Sequence, residues 1–422
     1  MTILTINNSY SRITNMSPSQ EKQLRAALSY SVETSYFKVN YGPKKRCLID
    51  KKGNFPTGLI NRIPFSTQII DNRRQPISRD CYINLKDSVY EWQRESVNTA
   101  SFSNRGIISA PTGTGKSLVI KLLAARLNVK TLIVVPSLEI KKQLQETLKD
   151  LQNVTIENID SKTLQTAKDY DCLIIDEAHH VAAKTYQKLN KTAWVGIYYR
   201  FFFTATPFRN NADETMLFEA IAGRLIYKLD YETAIRKGYI APIEAFYLEI
   251  PKQDTDAFTY SQVYSQLVVN NEVRNLTISK MLLNLQQAGI STLCLVKEVA
   301  HGRLLADLTG LPFVSGADDE SRQYIQQLNS GELKVLIGTT GILGEGVDTK
   351  PCEYVIIAGL GKAKSQFMQQ IGRAVRRYPG KGSAKIILIQ DKSHKFLIRH
   401  FNVQRAILKQ EYGVTATKLE VL

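Results

Sequence analysis

A nine-residue run, Ser-Ala-Pro-Thr-Gly-Thr-Gly-Lys-Ser at 109–117, has the residue types and spacing of a phosphate-binding loop. Glycines at Gly113 and Gly115 leave the backbone N–H groups free to curl around an anion. In this pattern Lys116 reaches the terminal phosphates of a nucleotide, and the Ser117 hydroxyl can ligate Mg²⁺. The run therefore predicts that ATP and Mg²⁺ bind here. The predicted nucleotide-binding residues of the loop are Thr112, Gly113, Thr114, Gly115, Lys116 and Ser117.

Two adjacent carboxylates follow a second apolar run. Leu173–Ile175 precedes Asp176-Glu177-Ala178-His179, and parallel sheets place ligands at the carboxyl ends of their strands. We expect Asp176 to hold Mg²⁺ together with Ser117, and Glu177 to orient or deprotonate a water that attacks the γ-phosphate. An acidic helix N-terminus is the simpler alternative, but it leaves the spacing from the phosphate-binding loop unexplained.

Positive charge is concentrated at the two ends of the chain, whose formal net charge is +16. Residues 1–85 contain 13 Lys and Arg against 5 Asp and Glu, and residues 362–409 contain 12 against 1. Two basic blocks in a nucleotide-binding protein indicate a polyanionic partner, although a solvated lysine-rich surface is the alternative for either block alone. On charge alone, the candidate nucleic-acid contacts near the N-terminus are Lys44, Lys45, Arg46, Arg73 and Arg74.

Short apolar runs alternate with helical periods from about residue 86 onward, for example at 131–135, 172–175 and 292–296. This alternation predicts an α/β fold with parallel sheets. We expect a small basic α+β accessory domain at 1–85. A first lobe is predicted at 86–230, and a second at 231–422 with a basic C-terminal helix.

The rest of the composition excludes several classes of protein. The 5 cysteines are scattered without a CxxC pair, which argues against a disulfide framework and a structural zinc site. No apolar stretch approaches the roughly 20 residues that span a bilayer, and the first residues do not resemble a signal peptide. A cytoplasmic protein is expected.

Together these motifs resemble those of the superfamily 2 helicases and translocases over roughly residues 86–390. The resemblance implies two tandem RecA-like lobes with ATP bound between them. The matching segments are motif I at 109–117, Ia at 132–138, II at 176–179, III at 204–209 (TATPFR), V at 338–348 and VI at 369–376 (QQIGRAVR).

The resemblance also implies roles for residues in the second lobe. Arg373 and Arg376 lie three apart, on one face if the segment is helical, and would act as arginine fingers. Gln369 would contact the motif II region, and Asp348, with Gly346 beside it, would lie at the nucleotide ribose.

Further roles follow from the same family positions. His179, Thr204 and Thr206 would couple hydrolysis to lobe movement, and Tyr90 and Gln93 would contact the adenine. Tyr90 stands where related translocases have arginine. The nucleic-acid contacts implied by family position are Pro136, Ser137, Thr339 and Thr340.

Motif III as TATPFR, the motif V run GILGEGVD and the segment FPTGLI at 55–60 resemble the RecG, XPB and UvsW group, above all the phage UvsW type. That resemblance implies an ATP-dependent DNA helicase of a bacterial or phage-infected cell. It would act on forked or branched DNA in recombination, repair or replication, by fork regression, Holliday-junction branch migration or unwinding. The alternatives are a DExH-type RNA helicase, a motor subunit of a restriction system and, more distantly, a non-enzymatic basic binding module. No membrane association and no obligate protein partner are expected.

Overall fold

The computed structural model describes residues 1–419 apart from a few segments. The segments outside this description are 37–38, 78–88, 167, 182–183, 207–211, 317–318, 341–351, 360–363 and 379. The chain consists of two compact units. The first contains Met1–Ala110 and Gly115–Leu229, and the second contains Pro111–Thr114 and Asp230–Leu422.

The strands, in chain order, are β1 (Ile3–Ile6), β2 (Tyr10–Thr14), β3 (Ser29–Tyr36), β4 (Val39–Cys47), β5 (Asn54–Pro56), β6 (Gln68–Asp71), β7 (Arg105–Ser109), β8 (Thr131–Val135), β9 (Val154–Asn158), β10 (Cys172–Ile175), β11 (Tyr199–Thr204), β12 (Leu225–Lys228), β13 (Ile243–Ile250), β14 (Thr292–Val296), β15 (Phe313–Val314), β16 (Val335–Thr339), β17 (Tyr354–Ile357), β18 (Ala384–Asp391) and β19 (Thr417–Lys418).

The α-helices are α1 (Pro18–Ala27), α2 (Glu91–Ser103), α3 (Lys116–Leu127), α4 (Leu138–Thr147), α5 (Lys184–Lys191), α6 (Ala212–Ala222), α7 (Tyr231–Arg236), α8 (Tyr260–Tyr264), α9 (Glu272–Gln287), α10 (Val299–Thr309), α11 (Asp319–Ser330), α12 (Lys364–Ala374) and α13 (Lys395–Tyr412). Among the described helices, none is long and apolar enough to cross a membrane.

The first unit contains a six-stranded sheet in the order β12-β7-β11-β10-β8-β9, with every pair parallel. All residues of β8, β10 and β11 are buried, as expected for parallel strands covered on both faces. Alternate residues such as Leu173, Ile175 and Phe202 share one core with Tyr186 of α5 and Phe218 of α6. This core fixes the strand ends that carry the candidate site.

The second unit contains a seven-stranded sheet in the order β15-β16-β14-β17-β18-β13-β19, again with parallel pairs. Its core joins strand residues such as Cys294, Ile337 and Ile356 to Ile278 and Leu282 of α9. Two parallel sheets therefore confirm the α/β class with two RecA-like lobes.

The N-terminal region contains a four-stranded sheet in the order β5-β2-β1-β6 and a separate antiparallel pair, β3 and β4. Its core includes Met216 and Ala220 of α6, and the backbone at Gly58 approaches α6 so closely that an added Cβ would lie 2.1 Å from the Glu219 carbonyl oxygen. The segment 55–60 thus docks the region on α6. The domain limits 1–85, 86–230 and 231–422 stay a prediction.

Candidate functional site

The phosphate-binding loop connects β7 to α3. Gly113 and Gly115 have φ angles of 88° and 89°, in the left-handed region where a side chain is strained. The Thr114 N–H and hydroxyl both point at the Pro111 carbonyl oxygen, and the Leu118 N–H donates to the Gly115 carbonyl oxygen at the start of α3. The backbone conformation is the one that the glycine pattern predicts.

The loop is tied to the end of the neighbouring strand β11. Ser109 pairs with Thr204, and the Ala110 N–H donates to the Thr204 carbonyl oxygen at 3.1 Å. The Thr204 hydroxyl in turn accepts from the Thr206 N–H at 3.1 Å. The Lys116 ammonium, which is buried, donates to the Ala110 carbonyl oxygen at 3.2 Å. Motifs I and III therefore share backbone hydrogen bonds, which is how a change at Thr204 would reach the loop.

Strand β10 ends at Ile175, and Asp176 follows it as a buried carboxylate. Burial and the adjacent Glu177 raise the pKa of Asp176 to about 6, against the opposing effects of Lys116, the Glu177 N–H and His179. The Glu177 N–H donates to Asp176 Oδ1 at 2.9 Å. Glu177 has φ 46°, an unusual value for a non-glycine residue, and its Oε2 lies 3.4 Å from His179 Nδ1. His179 thus contacts the predicted water-activating carboxylate.

The donor set at this edge fits Mg²⁺. A buried carboxylate whose pKa is raised by desolvation is stabilised in its charged form by a cation. Asp176 and Ser117 offer oxygen ligands, and Mg²⁺ is usually held by one or two such ligands plus phosphates and water. No group of three or more His, Cys, Asp or Glu side chains in the described part of the chain could hold a metal unaided. The site suits a metal that arrives with a nucleotide.

Tyr90 and Gln93 lie at the start of α2. Gln93 is buried, with Oε1 accepting from the Tyr90 N–H at 3.0 Å and Nε2 donating to the Gly115 carbonyl oxygen at 3.3 Å. The Gln93 amide therefore braces the phosphate-binding loop, a contact that the sequence interpretation did not include. Tyr90 is 40% exposed, so its ring is accessible to a ligand. Their adenine contacts stay a prediction.

The end of α12 corrects the predicted placement of Arg376. The helix ends at Ala374, so Arg376 lies beyond it and does not share a helix face with Arg373. The last carbonyl groups are satisfied from outside the helix, because the Ala241 N–H donates to the Val375 carbonyl oxygen and the Lys381 ammonium donates to that of Ala374. These two hydrogen bonds take the place of those that a further helical turn would make to the same carbonyl groups.

Several predicted residues lie outside the described part. Gly346 and Asp348 fall in the segment 341–351, and Pro207–Arg209 of motif III fall in 207–211. Gln369 and Arg373 belong to α12, but their side chains are not described. The roles assigned to Gly346, Asp348, Gln369 and Arg373 stay predictions.

The nucleic-acid contacts predicted from family position lie at strand ends. Pro136 and Ser137 follow β8, and the Ser137 hydroxyl caps α4 by accepting from the Ile140 N–H at 3.3 Å. Thr339 and Thr340, at the end of β16, are buried. Their roles as contacts stay predictions.

The residues predicted on charge alone lie in three settings. Lys45 and Arg46 are exposed on β4, and Lys44 is on the same strand with its side chain outside the description. Arg73 binds Asp71 through two hydrogen bonds, whereas Arg74 is exposed.

The sequence interpretation missed two arginines at the opposite, amino-terminal edge of the first sheet. Arg105 begins β7, and Arg200, which pairs with it in register, is fully buried in β11. The available signal was an arginine directly before the apolar run Phe201–Phe203, a position where an apolar residue is expected.

Two family models match the chain. One, described as the helicase conserved C-terminal domain, matches residues 265–378. The other, described as the res subunit of type III restriction enzymes, matches residues 84–166 and 152–209.

Three named relatives align with most of the chain. DNA 3'-5' helicase Rad25 of Halobacterium salinarum is 25% identical over 346 residues, which cover 74% of this chain and 55% of the relative. DNA 3'-5' translocase XPB2 of Sulfurisphaera tokodaii is 23% identical over 380 residues, covering 76% and 84%. The ATP-dependent DNA helicase uvsW of Enterobacteria phage T4 is 22% identical over 346 residues, covering 72% and 68%. The chain thus spans about half the length of the Rad25 relative.

The fold is also similar to that of a solved fragment of an HsdR subunit of a type I restriction enzyme from Vibrio vulnificus. The two are 18% identical, with a TM-score of 0.59, over 78% of this chain and 68% of that one. The matching family models and relatives show that the chain belongs to the superfamily 2 helicases, in the branch of the XPB-like and UvsW-like proteins.

Proposed function

We propose that this protein is an ATP-dependent DNA helicase or translocase that remodels branched DNA, by fork regression, branch migration or unwinding. The observation that carries the hydrolytic part is the carboxyl edge of the first sheet. There Thr204 ends β11 and accepts a hydrogen bond from the Ala110 N–H, and the Lys116 ammonium donates to the Ala110 carbonyl oxygen. Asp176 follows the adjacent strand β10 at the same edge. Membership in a helicase family implies ATP use.

Bound ATP with Mg²⁺ would supply the phosphoanhydride bond whose cleavage drives the motor. The loop N–H groups and the Lys116 ammonium would hold the phosphates, and Ser117 and Asp176 would hold the metal. Glu177 would take the proton of the attacking water, with His179 beside it to orient the carboxylate. Arg373 and Arg376 would supply positive charge as it develops on the phosphate. Gln369, Asp348, Tyr90 and Gln93 keep the supporting roles that the motif resemblance gives them.

A DNA substrate is supported by the names of the relatives, which are those of DNA helicases or of a DNA translocase. The net charge of +16 and the exposed Lys45, Arg46 and Arg74 support a grip on a phosphate backbone. We assign the N-terminal region as an accessory DNA-binding domain, and Pro136, Ser137, Thr339 and Thr340 as contacts along the motor track. The preference for branched over linear DNA is the most specific element of this proposal.

A motor subunit of a restriction system is the second candidate. The family model over residues 84–209 is described as a restriction-enzyme subunit. Such a motor would translocate on linear duplex and would have no preference for forks.

The test is to measure ATP hydrolysis with single-stranded DNA, linear duplex, a synthetic fork, a four-way junction and RNA, and to resolve the products on native gels. We expect the fork and the junction to stimulate hydrolysis most and to be converted to regressed or migrated products. Equal stimulation by linear duplex without product formation would favour the restriction motor. Stimulation by RNA alone would refute the DNA assignment.

A further inference from the structure

A surface cavity of about 430 Å³ lies where the β1–β2 turn meets the amino-terminal edge of the first sheet. Its wall includes Asn7, Ser9, Arg73, which follows β6, and Lys191, the last residue of α5. None of the described residues that line it is acidic. We call this feature the basic cavity.

Arg200 lies directly behind the wall. Its guanidinium is fully buried and donates to Ser9 Oγ at 2.7 Å, to Asn190 Oδ1 at 2.5 Å and to the Ile197 carbonyl oxygen at 3.0 Å. Every one of these acceptors is neutral. Burial lowers the pKa of Arg200, because the charge has lost its water without gaining a carboxylate.

Arg105 lies behind the neighbouring part of the wall. It donates to the carbonyl oxygen of Asn8, a residue that also lines the basic cavity. Its Nε and Nη1 atoms are buried without a hydrogen-bond partner, and so is Asn8 Oδ1. Burial, with Arg200 and Arg73 nearby, lowers the pKa of Arg105. Orphaned guanidinium donors in a native structure call for an explanation.

Arg73 provides the accessible charge on one side. It binds Asp71 at 2.6 Å and lies over the Tyr198 ring at 5.6 Å from the centroid. Arg73 and Lys191 line the basic cavity, and Arg105 and Arg200 bind the lining residues Asn8 and Ser9 from behind. Asp71 is paired with Arg73. Low-dielectric walls focus such a potential into the space that they enclose.

We propose that the basic cavity binds a phosphate group of a nucleic-acid backbone. Lys191 and Arg73 would contact the oxyanion directly, and Arg105 and Arg200 would stabilise it by their charge from behind Asn8 and Ser9. Buried cations are normally paired, and this ligand supplies the missing anion. The site lies apart from the phosphate-binding loop, which is at the other end of β7.

This inference rests on the proposed function and deepens it. Arg105 begins β7 and Ser109 ends it, so this strand of 5 residues separates the two edges of the sheet by roughly 15 Å at about 3.3 Å per residue. Pro136 and Ser137, the predicted track contacts, lie on the carboxyl edge with the loop. A phosphate in the basic cavity would therefore belong to a part of the substrate outside that track, which a branched DNA offers and a single strand does not.

The first arm of the test compares two charge reversals on α5. Lys191→Glu places a negative charge in the basic cavity, whereas Lys188→Glu makes the same change at an exposed position of the same helix that does not line it. For Lys191→Glu we expect about 3- to 10-fold weaker binding of a synthetic fork and a log–log salt slope smaller by about 1. For Lys188→Glu we expect less than about a 2-fold change. Equal effects of the two variants would overturn the proposal for DNA.

The second arm uses inorganic phosphate and does not depend on DNA. Thermal unfolding is followed against phosphate at constant ionic strength, in the Lys116→Ala background so that the phosphate-binding loop contributes little. We expect phosphate to raise Tm, an effect that Lys191→Glu removes and Lys188→Glu keeps.

The two arms separate the sources of the anion. A phosphate effect without a change in fork binding would leave a site for free oxyanions and overturn the backbone assignment. If neither arm responds to Lys191→Glu, no oxyanion site exists. If the wild-type protein binds no DNA, the proposed function fails while the phosphate arm still decides whether the basic cavity holds an oxyanion.

Discussion

The two edges of the first parallel sheet differ in how their charges are arranged. At the carboxyl edge, the Lys116 cation lowers the pKa of the buried Asp176 carboxyl and so partly offsets the raising effects of burial and of Glu177. At the amino edge, Arg105 and Arg200 are buried side by side and every acceptor that the described residues give them is neutral. The first edge therefore carries charges of both signs, whereas the two buried arginines of the second have no carboxylate among the hydrogen-bond acceptors that the described residues give them.

The two edges also differ in whether they could be recognised from the sequence. The carboxyl edge is built from short contiguous motifs, since a loop after one strand carries several functional groups. The amino edge joins Asn8, Arg73, Lys191 and Arg200, which are far apart in the chain and follow no motif. Only the fold brings the first three to one cavity and places Arg200 behind its wall.

The largest expected effect is at the carboxyl edge. Lys116→Ala removes the ammonium that the loop would aim at the phosphates, and we expect DNA-stimulated ATP hydrolysis to fall at least about 100-fold, the usual cost of losing one such charge. Fork binding should survive. Lys121→Ala on the same helix, which breaks only a surface ion pair with Asp150, is the control in a coupled ATPase assay. A Lys116→Ala enzyme that hydrolyses ATP normally would remove the loop from the mechanism.

Glu177→Gln tests the base at the same edge. The amide keeps the size of the side chain but cannot accept a proton, so turnover should fall by about 100- to 10,000-fold while nucleotide binding is retained. Single-turnover hydrolysis and nucleotide titration measure the two properties. Glu146→Gln, an exposed position on α4, should leave both unchanged. Normal unwinding by Glu177→Gln would refute its assigned role.

Arg200→Met tests the buried hydrogen-bond network at the amino edge. The change leaves Ser9, Asn190 and the Trp194 carbonyl group without their buried donor, so we expect a loss of about 2–4 kcal/mol in the free energy of unfolding. Urea unfolding measures it, with the exposed Arg126→Met as a control expected to change by less than about 0.5 kcal/mol. A more stable Arg200→Met protein would mean that the buried network is not structural.

The fold itself was largely predictable, because uninterrupted apolar runs such as 131–135 and 292–296 have few arrangements other than buried parallel strands. The geometry of the loop at Gly113 and Gly115 was also predictable, because the positions of the glycines determine it locally. The end of α12 did not, since it depends on Ala241 and Lys381, which are remote from it in sequence or lie beyond its end. The bond from Gln93 to Gly115 likewise depends on how α2 packs. Long-range contacts of this kind leave no periodic signal.

The smallest expected effect is that of Arg105→Met, which distinguishes Arg105 from Arg200. Arg105 donates to Asn8 but leaves Nε and Nη1 orphaned, so Arg105→Met removes a poorly satisfied cation and keeps most of the apolar volume beside Gly223. In phosphate-free buffer we expect a change within about 1 kcal/mol in the free energy of unfolding, because an apolar substitute for an unpaired buried ion is often neutral. With phosphate, the same variant should show a smaller rise in Tm than the wild type, since the field of Arg105 no longer acts on the oxyanion. A loss as large as that of Arg200→Met, unchanged by phosphate, would make the two arginines equivalent and remove the reason for an anion at this edge.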